Sequence, residues 1–63
     1  MEVPCIAVPR EDGEESRQAL ADAEVLDDDY QIVVEEGTLY IPVTDPDGVP
    51  EEFELTVRDL PSR

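Results

Sequence analysis

The stretch from Tyr30 to Val43 is the most apolar run in a very acidic chain, and it constrains the fold more than any other. Tyr30, Ile32 and Val34 alternate with Gln31, Val33 and Glu35, the period-two pattern of a strand. Leu39, Ile41 and Val43 repeat the pattern after Glu36-Gly37. Gly37 supplies the positive φ of a tight hairpin turn, so the run predicts two short strands. A lone hairpin is marginal in water, and its apolar face needs a third strand or a helix.

The rest of the chain supplies candidates for both. Val3 to Pro9 reads as a first strand, with Val3, Cys5 and Ala7 on one side and Ile6 and Val8 on the other. Both sides are apolar enough for a strand covered on two faces or lying at the edge of a layer. Pro4 and Pro9 bracket it. Asp12 with Glu15 three residues on suggests a helix start of capping-box type, and the helix is expected to run to about Val25. Ser16, Ala19, Leu20, Ala23 and Leu26 form its narrow inner stripe, and Arg17 pairs with Glu14 on the outside. Asp27-Asp28-Asp29 is expected to end the helix, since like charges are unfavourable at its negative end. These aspartates lack the spaced ligands and turning glycine of a calcium loop, and they read as a solvated turn. Pro42 implies that the second hairpin strand has one side without a ladder partner there. Asp45 to Pro50 is rich in turn formers. Glu52 to Arg58 is a last strand, with Phe53, Leu55 and Val57 on one face. Leu60 to Arg63 reads as a tail without a structural terminus.

The prediction is an α+β fold: a small mixed sheet of three to four strands with one helix on one face, in the order strand-helix-strand-strand-strand. The helical crossover implies a parallel pairing of the first two strands, and the hairpin adds an antiparallel one. At 63 residues the chain makes a single small domain, 1–63. Such a chain buries only ~60% of its unfolded surface and has no room for a large catalytic pocket. No apolar run approaches the ~20 residues that span a bilayer, and no basic amino terminus precedes a hydrophobic region, so no membrane partner and a soluble, cytoplasmic protein are expected.

Charge narrows the setting. Eighteen acidic residues face four basic ones, a net charge of −14, and all four basic residues are arginine. At low salt such a surface repels itself and disfavours the compact state. In molar salt the screening length falls to ~3 Å and most of that repulsion disappears. The composition therefore predicts a halophilic protein. An acidic disordered tail fits less well, because the apolar residues are patterned rather than depleted.

Nothing in the residues carries chemistry. Without histidine, and with Cys5 as the one thiol, there is no zinc cluster and no nucleophile–base pair. Glycines 13, 37 and 48 are isolated, so no phosphate-cradling loop is present. The catalytic, cofactor-binding and metal assignments are therefore none. Arg10, Arg17 and Arg58 are too few for the basic patch of an ordinary RNA binder. The residues by themselves indicate an acidic α+β recognition or interaction module, with an acidic protein-interaction module or nucleic-acid mimic as the alternative to RNA recognition.

A longer-range pattern adds to this. Gly13-Glu14-Glu15-Ser16-Arg17-Gln18-Ala19-Leu20 is followed by Val25-Leu26-Asp27-Asp28-Asp29-Tyr30-Gln31-Ile32, then by Gly37-Thr38-Leu39-Tyr40-Ile41-Pro42-Val43. In that order and spacing, over residues 3 to 45, the chain resembles the amino-terminal domain of archaeal tRNA (guanine(37)-N1)-methyltransferases. The resemblance implies one part of a longer, S-adenosylmethionine-dependent enzyme, whose cofactor site and catalytic acid lie in another domain of the same polypeptide. It also implies a partner, tRNA, met at the outer corner where the D and T loops join. Recognition of RNA by shape and backbone suits a domain with few side-chain readers. Where relatives from low-salt cells carry lysines and arginines around the helix start, this chain keeps Arg10 alone before Glu11 and Asp12. Counterion release contributes little in molar salt, so direct hydrogen bonds from Arg10 and Arg17, and less so Arg58, are the expected RNA contacts.

Overall fold

The hairpin turn forms where Glu36-Gly37 predicts it. In a computed structural model that describes residues 2–63, Glu35 pairs with Thr38 across a two-residue turn. Glu36 (φ 51) and Gly37 (φ 80) are both left-handed, which makes it a type I′ turn, the form whose twist matches that of the flanking strands. The two strands are β2 (Val33–Glu35) and β3 (Thr38–Pro42). β2 is shorter than the alternation suggests. Ile32 packs with the helix-side core, Tyr30 packs on the other side of the sheet, and Val34 is half exposed.

β1 (Glu2–Pro9) lies in the middle of a four-stranded sheet ordered β2-β3-β1-β4, with β4 at Glu54–Asp59. Every pairing is antiparallel. The expected parallel pair of β1 and β2 is corrected here. Both run antiparallel to β3 and so share a direction, but β3 inserts between them and takes both sets of ladder bonds. The single helix, α1 (Gly13–Asp22), follows a 3-10 turn at Arg10–Asp12. A second 3-10 turn covers Pro46–Gly48, opened by the Asp45 carboxylate accepting from the Asp47 N–H.

β1 does not stop at Pro4. Its carbonyl accepts from the Val43 N–H at 3.0 Å, half of a two-bond antiparallel pair whose other donor proline lacks. Pro42 behaves in keeping with expectation. The β2 ladder ends at Tyr40, and beyond it the Pro42 carbonyl accepts instead from Asp27.

Two apolar layers cover the sheet. On the helix side Ile6, Val8, Ile41 and Val43 pack with Leu20 and Val25. Gly13, Ser16 and Leu20 are the buried helix positions. Gly13 sits so close to β3 that a β-carbon there would lie 2.1 Å from Leu39 Cδ1. On the opposite face Val3 and Cys5 are covered by Leu60, with Tyr30, Val33 and Tyr40 around them.

Three local expectations are revised. Asp12 occupies the cap position, but its side chain makes no cap hydrogen bond. The helix ends at Asp22, ahead of the aspartate run. Glu24 takes φ 61, its N–H donates to Ala21, and the Val25 N–H donates to Leu20. This is a Schellman motif, closed by the Leu20–Val25 contact and built on a glutamate where glycine is usual. The carboxy-terminal tail is part of the fold. Leu60 is buried, Ser62 bridges to Tyr30, and the Arg63 N–H donates to the Asp29 carbonyl.

Candidate nucleic-acid interface

The three candidate arginines occupy different settings. Arg10 begins the 3-10 turn after β1, and its N–H donates to the Gly37 carbonyl at 2.9 Å. That bond ties the helix entry to the hairpin turn. The Arg10 side chain is exposed and makes no ion pair among the described residues. Arg17 lies on the outer side of α1, with Nη2 3.6 Å from a Glu14 carboxylate oxygen. Both side chains are well exposed, so the pair leaves the guanidinium available to another partner.

Arg58 is placed differently. It belongs to β4 opposite Val3, on the face away from the helix. Its guanidinium lies 4.3 Å from the centroid of the Tyr40 ring and donates to Glu35 Oε2 at 2.6 Å. It thus reaches across β1 to both hairpin strands. Cys5 lies under this arm. Burial pushes its thiol pKa up, and the nearby Arg58 charge offsets part of the effect. The structure therefore does not gather the three arginines into one patch. Arg10 and Arg17 belong to the helix-bearing part, and Arg58 is committed on the opposite face.

Sequence reasoning misses a cleft between α1 and the start of β4. It has a volume of about 590 Å³, with Pro9 and Val8 of β1 among its lining residues. Asp12, Glu15 and Glu52 line it together with Ser16 and Phe53, while Glu54, opposite Ala7, turns its side chain to the other face of the sheet. The missed signal was the pairing of two acidic stretches, Asp12–Glu15 and Glu51–Glu54, across a register that only the sheet order supplies.

The Asp27 carboxylate accepts from the Asp29 N–H at 2.9 Å, a local turn bond. Among the described residues no group of three or more ligating side chains is placed to hold a metal ion. No helix among them is long and apolar enough to cross a membrane.

The family described as tRNA methyltransferase 5 N-terminal domain matches residues 5–51. No curated protein is significantly similar to the chain. Among solved structures, Trm5b from Pyrococcus abyssi superimposes with a TM-score of 0.87 at 31% identity, over 97% of this chain and 18% of that one. Trm5 from Methanocaldococcus jannaschii, solved in complex with adenosine, gives 0.80 at 30% identity, over 95% of this chain and 21% of that one. A complex of aTrm5 with tRNALeu gives 0.67 at 27% identity, over 87% of this chain and 18% of that one. The chain spans about a fifth of the length of each of these proteins.

Proposed function

Since the chain belongs to the tRNA methyltransferase 5 N-terminal domain family, we propose that it is a non-catalytic tRNA-recognition domain of an S-adenosylmethionine-dependent tRNA (guanine(37)-N1)-methyltransferase. The observation that supports this most is the likeness to a relative solved with tRNALeu, which extends over 87% of the chain. On this reading the domain docks on the outer corner of the tRNA. The methyl donor and the catalytic groups belong to another domain of the same polypeptide, and the adenosine in the Methanocaldococcus jannaschii relative is in keeping with such a cofactor. Cytoplasmic location follows from a tRNA substrate.

Arg10 and Arg17 are the proposed RNA contacts. The Arg10 guanidinium is unpaired among the described residues, and the Arg17 pair is long and solvated. Arg58 ranks below them, because it would give up Tyr40 and Glu35 to reach a phosphate. With a net charge of −14, contact with an RNA polyanion requires strong screening. A halophilic cytoplasm provides it, so the proposed setting is salt-rich. The test is methylation and tRNA affinity of the full-length enzyme carrying Arg10→Ala and Arg17→Ala at high salt. Loss of affinity with an intact fold supports the assignment, and unchanged affinity and turnover overturn it.

A further inference from the structure

Helix α1 leaves β4 uncovered. In register, Leu55 lies opposite Ile6 and Val57 opposite Pro4, which puts both on the helix side of the sheet. Yet Leu55 is 46% and Val57 52% exposed, while Ile6 is fully buried. Phe53 continues the same row and forms one wall of the acidic cleft. β4 is also an edge strand, so from Glu54 to Arg58 its outer backbone N–H and C=O groups have no ladder partner among the described residues. Apolar row, open edge and acidic cleft therefore lie along one strand.

The cleft holds a polar group that the fold leaves unused. Ser16 is only 4% exposed, and its hydroxyl has no hydrogen-bond partner among the described residues. It is not sealed in, because no enclosed side-chain oxygen or nitrogen lacks a partner, so it opens onto the cleft it lines. An acceptor-capable hydroxyl, surrounding carboxylates and an aromatic wall suit a guanidinium or ammonium group.

We propose that β4 and the cleft beside it form a docking surface for an extended segment of another polypeptide, one that carries a basic side chain followed by branched apolar side chains at alternate positions. The segment adds to the open edge as a fifth strand. Its basic group enters beside Asp12, Glu15 and Glu52, and its apolar side chains cover Leu55 and Val57. Charge selects the occupant at contact distance, which a screening length of ~3 Å leaves effective: the acidic residues lining the cleft favour a basic group over a second copy of this acidic chain. The proposal is independent of the tRNA reading, which places RNA contacts at Arg10 and Arg17.

The experiment is backbone NMR of the 63-residue chain in about 1 M potassium chloride, where the screening length is ~3 Å, titrated with acetyl-Arg-Ala-Leu-Ala-Val-amide. The expected result is saturable shifts confined to Ser16, Phe53, Leu55 and Val57 and their neighbours. Glu15→Gln with Glu52→Gln should weaken binding about three- to tenfold, the scale of two partly exposed ion pairs. Leu55→Ser should weaken it as well. Replacing the peptide arginine with citrulline should abolish the cleft shifts. Asp28→Asn with Glu36→Gln, equal in charge but outside the cleft, should change nothing. Equal weakening by both double variants means non-specific attraction and overturns the proposal. So do shifts from spermidine that match those of the peptide, Leu55 and Val57 included, and so does a tRNA footprint on these same residues.

Discussion

Arg58 lies over the ring of Tyr40, its guanidinium carbon 4.3 Å from the centroid, while the same group donates to Glu35 at 2.6 Å. Two edge strands, β4 and β2, are thereby tied together across the two central ones. Arg58→Ala should lower stability by about 1 kcal/mol, the sum of a partly exposed cation–π contact and a surface ion pair. In a Tyr40→Leu background the same change should matter less, with a coupling of roughly 0.5 kcal/mol. Urea denaturation of the four proteins measures it. Additive effects would mean that the stack is absent in solution.

Two glutamates occupy backbone conformations that glycine prefers: Glu24 (φ 61) at the helix end and Glu36 (φ 51) in the hairpin turn. Relieving that strain outweighs the added chain entropy of glycine. Glu24→Gly and Glu36→Gly should each raise stability by about 0.5–1 kcal/mol, or several degrees in Tm for a domain of this size. Gly37→Ala should do the reverse, although nothing lies within 4 Å of the new β-carbon. Its penalty is purely conformational. A higher Tm for Gly37→Ala would contradict the assigned turn.

Leu60 is 4% exposed and closes the second apolar layer over Val3 and Cys5. Leu60→Ala should remove roughly 2–4 kcal/mol, a large share of what so small a domain possesses. The Cys5 thiol should then react with a disulfide reagent far faster than in the parent chain. An unchanged reaction rate would show that the tail is not seated.

The excess of carboxylates makes folding itself salt-dependent. Circular dichroism should show helix and sheet lost in dilute buffer and restored in molar potassium chloride, where the screening length is ~3 Å. Equal spectra in both would remove the halophilic reading.

These features were legible in the sequence to different degrees, for physical reasons. The Glu36-Gly37 turn and the two-faced β1 were visible because they are written in adjacent residues. The Schellman end of α1 was hidden, because Glu24 carries no sign that it adopts a left-handed conformation. The pairing of β1 with β3 and β4 was hidden because it depends on which of two compatible partners takes the open ladder. Leu60 looked like a loose tail because a single apolar residue between Asp59 and Pro61 has no periodicity. The three arginines stand out in the sequence only as scarce cations, and only coordinates separate Arg58, engaged across the sheet, from Arg10 and Arg17.

The central claim is that this domain reads the folded corner of tRNA. The direct measurement is its affinity, in molar potassium chloride, for intact tRNA, for tRNA with the D-loop/T-loop contact disrupted, and for an isolated anticodon stem-loop. The account predicts saturable binding to the intact molecule, at least tenfold weaker binding to the disrupted one (about 1.4 kcal/mol), and none to the stem-loop. Equal binding to all three, or binding to the stem-loop alone, would contradict it.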